Sequence, residues 1–419
     1  MALMKELVKA VTTSIKEGQR ADNGEYTAVL GLQNALKEKQ ISVWDWNIGH
    51  AFRECFGEEA FNTLRHADAS EVSRFFRVQE AAGGVSTAAF ANINKPFAYT
   101  AFLEPYSYPQ YVFQQAITST TLPQGSTKFL RMPGVSNIGD ETLVVAEGDA
   151  YPTAGVTENY IETPEVVKRG VKVPVTKEAV FFDRTGQVVE QCRKVGDSMA
   201  LNREKRAIRC VVDAGESLTN GYYRYRWGKS TSGLATIQTY GDNSGTHNWD
   251  NLAASNAFTD FANMNTAWQL LMAQTDPFTG EPIYFQPRHL IVGPSLAFTV
   301  PRVLQATITT AVGGYPTSGN ANASTFDNPV NSIVGPVTPV GTGSMLYEGI
   351  NTTASAATTW YLGDLSRAFG YLEAWTPTVV NFGAGTGEDF DRDIVLQFKV
   401  SEMGTYFTKE PRAIIRCTA

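Results

Sequence analysis

The sequence is poor in the residues that carry most enzyme chemistry. Its 419 residues include four cysteines, Cys55, Cys192, Cys210 and Cys417, and none forms a CxxC pair. Thiols this scattered supply neither a zinc ribbon nor a disulfide framework, and they point to a reducing compartment. Histidine is as scarce. His50, His66, His247 and His289 show no HxxxH spacing and no neighbouring nucleophile motif, which removes the usual helical zinc site. His289, in front of an apolar run, reads as a capping or core residue. No GxSxG elbow occurs. WGKST (227–231) has Tyr223 where a phosphate-cradling loop needs glycine, and GAGTGE (383–388) lacks the third glycine of a dinucleotide turn. The carboxylates at 140–165 lack the DxDxDG register of a calcium loop. No metal, no cofactor and no catalytic set is expected, and the chain reads as not an enzyme.

Long apolar runs are missing too. None approaches the ~20 residues of a membrane helix, and no cleavage pattern of a signal peptide follows the N-terminus. The chain reads as soluble and non-secreted, with no membrane partner. Its net charge is −7, so its surface as a whole does not grip a phosphate backbone, although a local basic face stays open. Between Val303 and Ser366 there is no Lys or Arg. That stretch reads as a long surface loop within a domain.

What is present is ordered along the chain. With 43% hydrophobic residues, the chain can bury sizeable cores in two or three domains. Residues 1–95 read as a helical N-terminal region, with LMKELVKAVTTSIK at helical spacing and a boundary or extended arm at AAGGVSTAAFAN. Residues 96–127, dense in aromatics and proline, read as an extended segment. KFLRMPGV and VVKRGVKVPV bracket a hairpin over 128–176. Its linker holds seven carboxylates, among them Asp140, Glu141, Glu147, Asp149 and Glu158, and no Lys or Arg. A lone hairpin is marginal in water. This one is either a mobile loop or is laid on the surface of a neighbouring copy.

A helix follows from Thr185, its expected N-cap, to Val212. Val188, Cys192, Val195 and Met199, then Ala207, Ile208 and Val211, form its inner stripe. Gly196 costs about 1 kcal/mol relative to Ala, so packing must hold the middle. Its polar face carries Arg193, Lys194, Arg203, Lys205, Arg206 and Arg209 as a basic strip. YYRYRW (222–227) suits stacking on single-stranded nucleic acid, but a plain strand or loop is the preferred reading. NAFTDFANMNTAWQLLMAQ reads as a helix. LIV, Gly293-Pro294 and the residues behind them read as strand, stop and short helix. At the C-terminus Leu396, Phe398 and Val400 alternate with polar residues as in a half-buried strand, Gly404 marks a bend, and PRAIIRCTA closes as a strand.

In this order the parts resemble the HK97-fold major capsid proteins of tailed double-stranded DNA bacteriophages. The resemblance runs over roughly residues 95–419. It rests on the hairpin, on VPVTKEAVFFDRTGQVVEQCRKVGDSMALNREKRAI, on PRHLIVGPSLAFTVPRVL, on WYLGDLSRAFGYLEAW with its Gly-Asp turn, and on IVLQFKVSEMGTYFTKEPRAIIRCTA. It implies an α+β fold with an N-terminal arm (1–95), a lead-in (96–127), an E-loop hairpin (128–176), a peripheral domain with a long spine helix (177–213) and C-terminal strands (388–419), and an axial domain (214–387). An insertion at 216–250 has no evident place. The resemblance further implies hexamers and pentamers closing into an icosahedral shell around DNA bound without sequence specificity. Portal, scaffolding and decoration proteins would be partners, assembly would occur in the host bacterial cytoplasm, and the virion would be the final location. Some members join a hairpin lysine to an asparagine. Here Ser136–Val167 has no lysine, so no such crosslink is expected. Asp140, Glu141, Glu147, Asp149 and Glu158 on the hairpin, with Arg193, Lys194, Arg203, Lys205 and Arg206 on the helix, are the expected contacts between subunits. An encapsulin-type shell has the same fold but a shorter N-terminal region, and a soluble enzyme is the remaining alternative.

Overall fold

The computed structural model describes residues 26–56, 85–133, 160–176, 185–213, 223–226, 235–241, 249–276, 280–304, 308–311, 324–327, 338–340, 358–383 and 394–418, with a few single positions between them. These fall into two compact units. Unit 1 takes Met1–Tyr108, Lys168–Asn202 and Trp375–Met403, and unit 2 takes Pro109–Val167, Arg203–Ala374 and Gly404–Ala419.

Unit 1 begins with α1 (Thr27–Lys37), which buries Val29, Leu32, Ala35 and Leu36. α2 (Ile48–Phe56) starts at Asn47, whose side-chain oxygen accepts the His50 N–H at 2.6 Å. α3 (Val85–Leu103) corrects two expectations. AAGGVSTAAFAN (81–92) is not a boundary or extended arm throughout, because the helix already runs from Val85. Nor is the whole of 96–127 extended, because the helix continues to Leu103. Ile93, Phe97, Ala98, Ala101 and Phe102 are all buried, a +4, +1, +3, +1 spacing that lines one helical face. Two of the aromatics that suggested an extended segment, Phe97 and Phe102, lie on that face. Pro96 sits inside the helix. Trp46 stacks on Phe97 with ring centroids 5.4 Å apart, and its indole N–H donates to Asn94 at 2.9 Å.

The rest of unit 1 is sheet and helix. In it the strands lie in the order β13 (Phe369–Gly383), β14 (Ile394–Thr408), β4 (Val167–Thr176). Val173, Val175, Leu396, Phe398 and Val400 point inward from them, while Val171 is 44% exposed. α5 (Thr185–Val212) brings Val188, Val189, Cys192 and Met199 to the same core. Thr185 is its first residue rather than its N-cap, and the hydroxyl accepts the Ile48 N–H at 2.8 Å. Gly196 explains itself in this packing. A β-carbon there would collide with the backbone carbonyl of Phe102, so α3 and α5 meet backbone to backbone.

Unit 2 opens with α4 (Phe113–Ala116) and β1 (Thr118–Thr121), which pairs in parallel with the Gly370–Glu373 stretch of β13. A four-stranded antiparallel sheet has the order β2 (Arg131–Pro133), β3 (Tyr160–Glu162), β5 (Tyr223–Arg226), β6 (Ala235–Ile237). A five-stranded sheet forms the main core. Its order is β11 (Thr338–Val340), β8 (His289–Ile291), β12 (Trp360–Gly363), β15 (Ile414–Cys417), β7 (Leu252–Ala253). α6 (Phe261–Met272) contributes Met264, Ala267 and Leu271 to the core and is capped by a reciprocal Asp260–Asn263 box. α7 (Thr299–Leu304) follows the Gly293-Pro294 stop, and β9 (Ile308–Ala311) pairs with β10 (Ser324–Asp327). Trp360 is fully buried against Phe258, with its indole N–H donating to the Asn256 carbonyl at 2.7 Å.

Two C-terminal expectations change. Gly404 is no bend, since β14 runs straight through it. A side chain there would strike the Tyr371 ring. The closing strand β15 does not join the strands at 388–408 but pairs antiparallel with β12. Ile414, Ile415 and Cys417 are all buried, so period-2 alternation could not say which sheet owns them.

The glycines of α5 give opposite expectations. Gly196→Ala should lower stability by about 1–3 kcal/mol through overpacking, despite its better helix propensity. Gly186→Ala, with open space around its β-carbon, should be neutral or mildly stabilising. Urea unfolding of the unassembled subunits checks both.

Candidate assembly surfaces

The hairpin is anchored at its base. The Thr163 N–H donates to the Leu130 carbonyl at 3.0 Å, the Leu130 N–H to the Thr163 hydroxyl at 2.9 Å, and the Val166 N–H to the Lys128 carbonyl at 2.9 Å. Arg131 pairs with the buried Glu162 at 2.9 Å. The segment at 216–250, which the sequence could not place, widens this base: Tyr225 lies opposite Ile161, and Tyr223 opposite Ile237. The alternating Tyr–Arg run was legible as a strand, but nothing in it named its partner. Further out, Glu147, Asp149 and Tyr151 are exposed, Tyr151 to 84%. Asp140, Glu141 and Glu158 lie outside the described residues, as does WGKST.

The basic helix face is less uniform than its sequence. Arg193 is ion-paired with Glu190 at 2.8 Å, and this pairing raises its pKa further. Lys194 and Arg209 are exposed, while Lys205 and Arg206 are partly covered. Arg203 turns inward: its guanidinium stacks 4.1 Å over the Tyr371 ring and lies 4.0 Å from Glu373. Between these cations sits Glu204, which is fully buried and was not singled out from the sequence. Its carboxylate accepts the N–H groups of Phe113 and Gln114 at 2.9 and 3.0 Å. Burial pushes its pKa up against the pull of those bonds. It is a cap for α4.

The Gly-Asp turn is also structural. Asp364 caps α8 (Leu365–Ala368) by accepting the Ser366 N–H at 3.0 Å, and Arg288 approaches it at 3.6 Å. His289 Nδ1 accepts the Leu365 N–H at 3.2 Å, so its proton sits on Nε2. Burial depresses its pKa, partly countered by Asp364. Among the described residues no cluster of His, Cys, Asp or Glu fits a metal ion, and no helix is long and apolar enough to cross a membrane.

The family model for phage capsid proteins matches residues 160–417, from β3 to β15. The chain belongs to the phage capsid protein family. It is a structural protein, a major capsid protein of a bacteriophage head that forms homo-oligomeric shells in the virion. The α+β class and the phage resemblance read from the sequence are borne out. Solved structures similar to this capsid protein include a virus-like particle from Pyrococcus furiosus (11% identity, TM-score 0.38, covering 76% of this chain and 97% of that one). Mycobacterium phage Bobi (13%, 0.42, 73% and 89%) and the capsid of Cyanophage P-SCSP1u (13%, 0.41, 74% and 88%) are further examples. With TM-scores below 0.5 they add nothing to what the family match carries. No curated protein matches the sequence.

The His289 geometry predicts a pH effect. Because its folded pKa lies below the ordinary 6.5, the stabilisation it gives is present above that value and is lost as pH falls from there toward the depressed pKa. Thermal melts of the unassembled capsid protein should therefore lose more stability on acidification to about pH 5 than melts of His289→Gln. Equal slopes would show that His289 is not the group titrating.

Proposed function

We propose that this capsid protein builds hexamers and pentamers of an HK97-type icosahedral head, and that its hairpin clasps a neighbouring subunit. Unit 1, with β4, β14 and the first part of α5, corresponds to a peripheral domain with its spine. Unit 2, with the five-stranded sheet, corresponds to an axial domain, here extended to take in residues 404–419. Residues 27–56 and 85–95, expected as part of an arm, pack into the core of unit 1 and belong to that domain. The observation that carries the clasp is the hairpin itself. It is rooted in a four-stranded sheet, and its outer part from 134 to 159 holds carboxylates and no Lys or Arg.

The cations of the spine, Lys194, Lys205 and Arg206 with Arg193, offer the opposite sign. Such complementarity sets encounter rate and register more than raw affinity, which suits a contact repeated many times in a closed shell. Head-to-tail contacts that close into rings need one donor and one acceptor surface per chain. Portal, scaffolding and decoration proteins are the further partners. Assembly takes place in the host bacterial cytoplasm. The shell encloses double-stranded DNA without reading its sequence, consistent with a net charge of −7, and no chemistry is asked of the subunit.

Deleting residues 138–160 should leave the subunit folded, with an unchanged far-ultraviolet spectrum, yet abolish closed particles in light scattering and negative-stain images. Closed particles from the deleted chain would rule the clasp out.

A further inference from the structure

Unit 1 carries an open groove of about 1140 Å³. Its walls come from the end of α1, the turn behind it, α3, and the Thr378–Val380 segment of β13. Two properties set it apart from an ordinary surface hollow. Apolar surface is left uncovered in it, with Trp44 60% and Val380 48% exposed. Its polar lining is cationic, because Lys37, Lys39 and Lys95 face a single lining carboxylate, Glu104.

Lys39 stands there against a conformational preference. α1 ends in a Schellman motif, in which the Gln40 N–H donates to the Ala35 carbonyl at 2.9 Å and the Lys39 N–H to the Leu36 carbonyl at 3.2 Å. The motif holds Lys39 at a φ of 57°, where glycine is the favoured residue and other L-residues are strained. A lysine there keeps a cation beside the groove at the expense of the better backbone.

We propose that this groove seats the tip of the acidic hairpin of a second copy of the chain. Lys37 and Lys39 face the carboxylates of Glu147 and Asp149, and Trp44 gives Tyr151 an apolar surface. The proposal rests on the neighbour clasp and names its seat. The tip has matching properties: Glu147, Asp149 and Tyr151 are exposed, and residues 134–159 contain no Lys or Arg to oppose the groove. Charge of opposite sign steers the encounter, and an aromatic side chain on apolar surface supplies the anchor.

The full-length chain tests this. Lys39→Gly removes the cation while relieving the backbone, and Lys37→Glu reverses the second charge. The double variant should melt no lower than the parent but assemble several-fold more slowly at low ionic strength, as followed by light scattering. The difference should vanish near ~1 M salt, where the Debye length is about 3 Å. Adding Glu147→Lys and Asp149→Lys should restore the rate. Ser42→Cys combined with Asp149→Cys should give a disulfide between subunits in closed particles, and neither single variant should. Parental assembly rates in the double variant, or closed particles without that crosslink, would overturn the seat. If these variants behave as the parent while the 138–160 deletion abolishes particles, the seat is wrong and the clasp stands. If the deleted chain closes into particles, both fall.

Discussion

The backbone of Phe102 packs so closely over Gly196 that no β-carbon fits between them, and the packing of α5 in unit 1 follows from that approach. A helix of 28 residues with glycine near its middle does not stand on propensity. It stands because side chains on either side of the glycine are buried. Val188, Val189 and Cys192 precede it, and Met199 and Ala200 follow it. The burial is deep enough to push the Cys192 thiol up to about 12, so this cysteine packs as an apolar side chain and stays unreactive. The later residues of the helix, Ala207, Ile208, Cys210 and Val211, belong to the separate core of unit 2. Each unit thus takes part of its core from one helix.

Charge is distributed by a similar logic. Cations that lie deep are held by their own chain: Arg203 by Tyr371 and Glu373, and Arg412 by Glu410 at 2.8 Å. Such pairs repay desolvation only where the geometry is good, so they order the core more than they stabilise it. Cations that remain outside, such as Lys194, Lys37 and Lys39, are screened by salt and contribute little within one subunit. Their value lies in what approaches from solution. The outer part of the hairpin (134–159), acidic and without Lys or Arg, is attracted to any such patch and repelled by its own copies elsewhere.

The sequence disclosed elements better than partners. The alternation in Leu396, Phe398 and Val400 and the stripe through Val188, Cys192 and Met199 mark faces that the structure does bury. LIV, Gly293-Pro294 and the helix behind them fell where expected. Local pattern failed where pairing is non-local. Nothing in AIIRC says that it joins β12, and nothing in YRYR says that it extends the hairpin sheet. Aromatic density misled at 96–103, because the helical spacing of Ile93, Phe97 and Phe102 was obscured by the proline beside it. Of the ten surface residues named from sequence, the charge sign was legible but not the inward turn of Arg203. A guanidinium choosing an aromatic ring over water depends on Tyr371, far away in the chain.

The widened base of the hairpin bears on how a shell subunit can be ready before its neighbour arrives. Two strands alone would sample many arrangements in water. Four strands, tied by Arg131 to Glu162 and by Thr163 to Leu130, hold the two ends of the segment 134–159 in one register. Part of the ordering entropy is then met on folding rather than on docking, and preorganisation of this kind raises affinity without adding contacts. In the clasp proposed above, the β5–β6 addition serves assembly as well as the fold. In that clasp the ordered base presents a segment of strongly one-signed charge to the next subunit.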